Sequence, residues 1–488
     1  MLKPSPSEIE AYAKDYSIVP LCRDIYADVV TPITLLRKIA QVSNRYFLLE
    51  SVEGGEKWGR YSFLGYDPIV HIVCNNHVVT TEYQNGTVTQ VTTDDPYQLL
   101  RELMANYKAP KIEGFPSFTG GLVGYYSYRM IGYAEPTLKL SESDTDDFDL
   151  MLCSKVIAYD HLYQKISVIV NLETNNLLEN YGAARADIEK MVALIRDPMP
   201  LPKEKITSKP DFSCNVTKEE YCEIVNKTKQ YIVDGDIFQA VLSRQWQTKY
   251  DNSLLDAYRV LRTTNPSPYM VYLHCDDIEI MSTSPETLVK LQDGRLVTFP
   301  VAGSRPRGKT DAEDRALEAD LLADEKELSE HNMLVDLGRN DIGKLSQYNS
   351  VEVTEYKMIH RYSRIMHICS MVEGDILPQY DAFDAVAALL PAGTLSGAPK
   401  IRACEIIEEL EPCGRGVYGG ALGYVDFTGN LDVCIAIRMA VKKNGVVSVQ
   451  AGGGIVADSV PETEYIESQN KAGAVISAIE RAAEVEAD

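Results

Sequence analysis

Basic residues are scarce in this chain: 48 lysines and arginines stand against 71 aspartates and glutamates in 488 residues, leaving a net charge of −23. Such a surface repels phosphate backbones and anionic headgroups, and no stretch gathers the basic patch that a nucleic-acid or membrane-surface partner would need. An apolar run of about 18 residues is also missing. The opening Met1–Tyr16 lacks the basic start and apolar stretch of a leader, so a cytoplasmic protein is expected. The ten cysteines lie singly from Cys22 to Cys434 with no CxxC pair. That spacing predicts buried, reduced thiols and no structural zinc. What is plentiful is apolar side chain, 45% of the whole, enough to fill the cores of about two to three domains. A small-molecule enzyme is the class these absences leave.

The sharpest break in composition is Arg196–Pro210, where four prolines and three lysines interrupt the apolar periodicity. A linker is predicted there, between a region at 1–205 and one at 215–485. Ahead of it, Ile69–Val73 and Ile166–Val170 read as strands, and Phe118–Tyr128, dense in glycine and aromatics, as a tightly packed one. Beyond it, Lys218–Asp234 and Asp311–Leu337 read as helices, and Leu296–Val301 and Gly420–Asp426 as strands. The order is irregular and no repeat is present, which favours an α+β fold over a doubly wound parallel sheet.

Two segments imitate nucleotide sites. Gly303–Thr310 matches the phosphate-loop pattern GxxxxGK[ST] and stands between a predicted strand and a predicted helix. Against it, Pro306 removes a backbone N–H from the cradle, and Asp311, Glu313 and Asp314 put negative charge where a triphosphate would sit. Gly414–Gly419 spells GxGxxG, but follows a helix-like segment and precedes a strand, the reverse of a dinucleotide site. Close backbone packing is the simpler reading.

Glu327 and Glu330 sit three apart on one face of a predicted helix, and Glu464 and Glu467 repeat the spacing near the C-terminus. With 71 acids, chance alone supplies about ten such pairs, so spacing by itself proves nothing. Two facing pairs would make a hard-oxygen site suited to Mg²⁺, since no His or Cys is spaced to join them. Ala451–Gly454, read as a glycine-rich turn, together with Arg438 and Lys471, could receive an anion. Unaided, these residues support a metal-dependent enzyme acting on an anionic small molecule.

They also fall within an ordered series of segments that resembles the chorismate-utilising enzymes, above all their anthranilate-forming large subunits: Gly235–Ser243, Ser284–Glu286, Pro300–Gly308, Glu330–Asp341, Tyr362–His367, Pro391–Lys400, Arg415–Gly420, Ile435–Arg438 and Glu464–Lys471. The resemblance implies β-sheets packed together with helices outside, and a catalytic, chorismate-binding region after about residue 215. It implies that Glu327, Glu330, Glu464 and Glu467 hold Mg²⁺ directly or through water, and that the metal grips the ring carboxylate of chorismate. Tyr418, Arg438, Gly452, Gly454 and Lys471 would bind the substrate's carboxylates, with hydroxyl contacts from Ser304 and Thr394. Glu286 would protonate the departing 4-hydroxyl and His367 would assist proton movement at the ring. In the first region, Leu48–Ser51 resembles a feedback segment and Asn265–Met270 its facing wall. Glu50, Ser51, Pro268, Tyr269 and Met270 would then bind tryptophan as inhibitor.

Where sister enzymes that add water carry a lysine base, this chain has Gln239, and where aminodeoxychorismate synthases carry a lysine it has Ala302. Both favour the anthranilate branch. Ser304 for the usual Thr, Arg364 for His, Gly453 for Ala and Met281–Ser284 ahead of Pro285 depart from the family pattern, and none removes an expected metal ligand or acid. No glutaminase signature occurs, meaning a nucleophilic Cys in a GxCxG elbow and a later His-x-Glu. The resemblance therefore implies a separate glutamine amidotransferase subunit that delivers ammonia within a hetero-oligomer. Three other readings stay open: aminodeoxychorismate synthase component I, a phosphate-loop NTPase on Gly303–Thr310, and a tryptophan-sensing protein without catalysis.

Overall fold

The computed structural model describes residues 2–28, 30–51, 59–198, 209–362 and 365–486. Residues 199–208 of the predicted linker, and Arg364, lie outside them. Two large antiparallel sheets, of 13 and 12 strands, pack face to face. The expected α+β class and sheet-on-sheet arrangement are what the chain adopts.

The sandwich follows from strands that are apolar on both sides. In Arg45–Glu50, Phe47 and Leu49 face the second sheet, while Tyr46 and Leu48 face helices packed outside the first. Phe47, Phe118, Val123, Met151, Val271 and Leu422 fill the space between the sheets. Close approach there requires glycine: a Cβ on Gly124 would stand 2.0 Å from the carbonyl oxygen of Asp149. This accounts for the glycine-rich strand Gly121–Tyr126.

Strands from both sides of the predicted linker share both sheets. Arg45–Glu50 pairs with Tyr269–Cys275, with Glu50 opposite Met270. In the second sheet Gly121–Tyr126 pairs with Ala421–Asp426. Among the described residues no helix is long and apolar enough to cross a membrane.

Three local expectations are corrected. The helix expected over Asp311–Leu337 is two, Asp311–Ala323 and Glu325–Gly343. Asp324 breaks it, because its carboxylate accepts from the backbone N–H groups of Lys326 and Glu327 and caps the second helix. The strand expected over Leu296–Val301 is the end of Arg295–Thr298 and the start of Val301–Pro306, interrupted at Phe299 and Pro300. Ala451–Gly454 is no turn but part of the ten-residue strand Val446–Ile455.

Candidate active site

The chain passes between the two sheets twice at one place. Ile278–Ser284 belongs to the first sheet and Thr287–Gln292 to the second, so Pro285 and Glu286 form a crossing. Leu431–Ile435 and Met439–Lys443 make the opposite crossing through Ala436–Arg438. The two crossings are laced together: Ser284 Oγ donates to the Ile435 carbonyl at 2.6 Å, Ser282 Oγ to that of Ile437 at 2.9 Å, and the Thr283 N–H to that of Arg438 at 3.0 Å. Beside them opens a cavity of about 810 Å³.

Glu286, Ser304, Glu327, Glu330, His367, Thr394, Tyr418, Arg438, Gly452, Gly454, Glu464, Glu467 and Lys471 all line this cavity. Residues scattered over nearly 200 positions thus meet on one wall or another. Pro268 lines it too, while the rest of the expected tryptophan set does not.

Glu286 is buried at the first crossing, and burial pushes its carboxyl up to about 8 despite a hydrogen bond from Thr394 Oγ1 to Oε1 at 3.2 Å. It therefore carries a proton at neutral pH and can give it up. His367 stands directly across the strand pair from Ser304, at a bulge made by Gly303, whose φ is +68°. Its Nδ1 lies 3.0 Å from the Gly303 carbonyl oxygen, which only accepts, so Nδ1 carries the hydrogen and Nε2 has a free lone pair. Burial and the nearby Arg438 hold its pKa below the usual imidazole range.

The second sheet supplies one helix to the site and the first sheet another. Glu325–Gly343 packs on the strands Val301–Pro306 and Ile365–Asp375, and Pro461–Glu480 on Val446–Ile455. Their Glu327, Glu330, Glu464 and Glu467 converge on the cavity. Burial raises the pKa of the first three, and neighbouring carboxylates add to the shift, Glu327 on Glu330 and Glu467 on Glu464. Lys471 Nζ, 2.6 Å from Glu467 Oε1, and Arg305, 3.8 Å from Glu327, offset part of the charge. A crowd of desolvated carboxylates with no nitrogen or sulfur donor among them fits a hard dication such as Mg²⁺.

Opposite them stand groups that could receive an anion. The strand Met439–Lys443 pairs with Val446–Ile455 only as far as Ala440 and Val449, so beyond Val449 one edge of the latter has no neighbouring strand. Gly452 and Gly454 lie on that edge. A Cβ on Gly452 would stand 2.2 Å from the Leu242 carbonyl oxygen, so only glycine keeps the strands in register. Arg438, just before the gap, is held at φ +50°, and has no carboxylate partner among the described residues; its Nη1 donates to the Lys471 carbonyl at 3.3 Å. Tyr418 is fixed from beneath by Arg415, a buried guanidinium paired with Glu411 and bonded to the carbonyls of Leu395 and Val241.

The residue reading overlooked Gln450 and Lys326, which also line the cavity, and set Asn265, another lining residue, with the tryptophan wall. Gln450 was findable: once Val446–Ile455 is a strand, Gln450, Gly452 and Gly454 share one face by period two.

The expected tryptophan residues divide between two faces. Glu50 and its partner Met270 point to the helices outside the first sheet. There the buried Glu50 carboxylate accepts from Arg262 Nε and Nη2 at 2.9 and 3.0 Å, Tyr258 at 3.0 Å and Ser62 at 3.1 Å. Tyr269 turns to the opposite face, with its hydroxyl 2.8 Å from Asp432 and 3.0 Å from Thr287. Ser51, next in the chain, is half-buried.

The phosphate-loop imitation is closed from within. Glu313 accepts from the Lys309 N–H at 2.6 Å and Asp314 from the Gly308 N–H at 2.7 Å, so the helix's own carboxylates occupy the donors a phosphate would need. In Gly414–Gly419, Cβ atoms on Gly414 and Gly416 would stand 2.4 Å from atoms of Glu142 and Thr145, so backbone packing explains those glycines.

Comparison with known proteins adds four findings. The model of the chorismate binding enzyme family matches residues 45–477. The anthranilate synthase component 1 of Acetivibrio thermocellus is 45% identical, over 99% of this chain and 100% of that one. The crystal structure of anthranilate synthase component I from Streptococcus pneumoniae TIGR4 superposes with a TM-score of 0.77 at 36% identity, covering 93% of this chain and 99% of the other. The menaquinone-specific isochorismate synthase of Escherichia coli, at 18% identity and a TM-score of 0.70 over 97% and 98%, shares the fold.

Proposed function

The chain belongs to the chorismate-binding enzymes and acts on chorismate, and from that premise we propose that it converts chorismate and ammonia to anthranilate and pyruvate, the anthranilate serving tryptophan biosynthesis. The observation that carries this reading is the pairing, in one cavity, of a buried protonated carboxyl, Glu286, with a neutral imidazole whose Nε2 is free, His367.

Arg438, Lys471 and the open strand edge at Gly452 and Gly454 hold the substrate's carboxylates, and Tyr418 packs beside them. Glu327, Glu330, Glu464 and Glu467 would hold Mg²⁺, which when bound supplies electron withdrawal from the ring carboxylate. As ammonia forms a bond to C2, the ring double bonds shift and the C4–O bond breaks. Glu286 gives its proton to the departing hydroxyl, which leaves as water, and Thr394 keeps the carboxyl aimed through Oε1. His367 Nε2 then takes the C2 proton as the C3–O bond breaks with its electron pair on oxygen; the ring becomes aromatic, the released enolpyruvate takes a proton at its methylene carbon to become pyruvate, and the new ammonium gives one proton to solvent.

Gln239 supports ammonia over water as nucleophile. An amide cannot deprotonate water, but the buried Gln239 Oε1 has no hydrogen-bond partner among the described residues and can accept an N–H. Glutamine is hydrolysed by a separate amidotransferase subunit in this reading, and tryptophan inhibits through the Glu50 region. Purified chain given chorismate, Mg²⁺ and ammonium should generate anthranilate fluorescence that EDTA abolishes. Chorismate consumed into a product that keeps its enolpyruvyl group would point to aminodeoxychorismate, and untouched chorismate would overturn the reading.

A further inference from the structure

Far from the catalytic cavity, three side chains of different chemistry meet at the rim of the sandwich. His71 Nε2 lies 2.7 Å from Asp149 Oδ1 and 3.3 Å from Cys275 Sγ. Among the described residues this is the single group of three His, Cys, Asp or Glu side chains whose donor atoms all fall within 4.8 Å of one another. The three are 78 and 204 positions apart along the chain, counted from His71. Fold topology brings them together: His71 and Asp149 lie diagonally on paired strands of the second sheet, and Cys275 ends a strand of the first.

The geometry makes no Cys275–His71–Asp149 relay, and Glu82, which faces the other ring nitrogen, is 3.9 Å from it, beyond hydrogen-bond reach. A Cys–His–Asp relay needs the thiol on one ring nitrogen and the carboxylate on the other, whereas both here face Nε2. Convergence of sulfur, nitrogen and oxygen on one point is instead the arrangement of a cation's ligands. Tetrahedral zinc, with Zn–N near 2.0 Å and Zn–S near 2.3 Å, sets N and S about 3.5 Å apart and N and O about 3.3 Å apart. Sulfur would move about 0.2 Å and oxygen about 0.6 Å from the imidazole nitrogen to reach these values.

Further features point the same way. The remaining ring nitrogen, Nδ1, faces Glu82 Oε2 at 3.9 Å, so a small movement of Glu82 would bring a carboxylate to the side from which one orients a metal-bound imidazole. The hydroxyl of Tyr125, directly opposite Asp149 in the sheet, is buried and has no hydrogen bond of good geometry among the described residues. Asp149, Glu82 and Asp276 outnumber Arg45, the cation that binds the last two. His71 and Glu82 are partly exposed, which leaves a way in.

We propose that His71 Nε2, Asp149 and Cys275 Sγ form a binding site for a divalent cation of the zinc class, tying the two sheets together at their rim. Binding forms bonds to nitrogen, oxygen and sulfur. It releases the thiol proton to solvent, while the ring hydrogen resides on Nδ1 toward Glu82. The site takes a borderline metal because of its sulfur and nitrogen, where the four glutamates take a hard one. It departs from the expectation of no structural zinc, which rested on local cysteine spacing, and it does not depend on the proposed reaction.

Cobalt(II) is the probe, since a thiolate ligand gives it a near-ultraviolet charge-transfer band. Metal-stripped full-length protein should show the band at one equivalent of Co²⁺, lose it on adding Zn²⁺, and keep it in millimolar Mg²⁺ and in the Glu464→Gln variant. Cys275→Ser should abolish the band, and Glu82→Gln should weaken Co²⁺ binding by about 10- to 100-fold. Should Cys275→Ser fail to fold, His71→Asn reads the same band, expected at least about tenfold weaker in Co²⁺ affinity. Absence of the band from the wild type, or its survival in Cys275→Ser through another of the ten cysteines, would overturn the proposal.

Discussion

The Nδ1 of His367 is tied to the carbonyl oxygen of Gly303 at 3.0 Å, and that one bond decides which ring nitrogen can act as a base. Because burial and Arg438 hold the imidazole pKa low, the neutral form persists below pH 6.5. The acid limb of kcat is therefore expected below the ordinary histidine range, and His367→Asn should lower kcat about 100-fold with little change in chorismate KM. A limb at 6.5 or above, or an effect confined to KM, would contradict the assignment.

Glu286 acts in the protonated form, so activity should fall as pH rises through about 8. Free ammonia grows over the same range, so kcat/KM for chorismate must be measured at constant free ammonia. The hydrogen bond from Thr394 favours the carboxylate, and Thr394→Val should move the alkaline limb to higher pH. Glu286→Gln should cost about 10²- to 10⁴-fold in kcat.

The four glutamates are expected to destabilise the metal-free chain. Glu464 has a raised pKa in the folded state, so its ionised form at neutral pH opposes folding, and the penalty disappears as pH falls below the unfolded value. Glu464→Gln should accordingly melt higher than wild type without metal, yet gain less from added Mg²⁺. At 100 times the dissociation constant, Mg²⁺ should stabilise wild type by about 2.7 kcal/mol. Thermal melts with and without Mg²⁺ and EDTA test both halves. A variant that melts lower than wild type without metal would show that Glu464 is structural.

Much of the site was legible in sequence, but its parts carried unequal physical signals. The paired glutamates were visible as helical spacing that chance could also produce, and ordered family segments gave them meaning. Local competition hid other features. Asp324 could continue a helix or cap one, and the capping hydrogen bonds that decide it are set only when the chain folds. Ala451–Gly454 looked like a turn because three consecutive glycines usually make one, whereas here they lie in a strand, where Leu242 closes on Gly452, Glu464 on Gly453 and Gln239 on Gly454. The His71, Asp149 and Cys275 cluster had no sequence signature, because sheet pairing assembles it.

Lys309 separates the phosphate-loop pattern from the fold. Its backbone N–H is taken by Glu313, so Lys309→Ala should leave anthranilate formation within about twofold of wild type. Millimolar ATP should not raise the melting temperature of either protein. A large loss of activity, or stabilisation by ATP that the substitution removes, would revive the nucleotide reading.

Arg262 occupies the position beside Glu50 that a tryptophan ammonium would need, so the ion pair and the ligand compete for one carboxylate. Removing one partner from a buried pair typically costs about 3–5 kcal/mol, because the other charge is left uncompensated. Arg262→Ala should therefore melt well below wild type, with Tyr258 and Ser62 alone facing Glu50. If tryptophan binds there, its ammonium restores the missing charge, and the ligand should raise the melting temperature more in Arg262→Ala than in wild type. Tyr269→Phe should keep the tryptophan response, since its hydroxyl is committed to Asp432 and Thr287 on the other face. Equal shifts in wild type and Arg262→Ala would place tryptophan elsewhere.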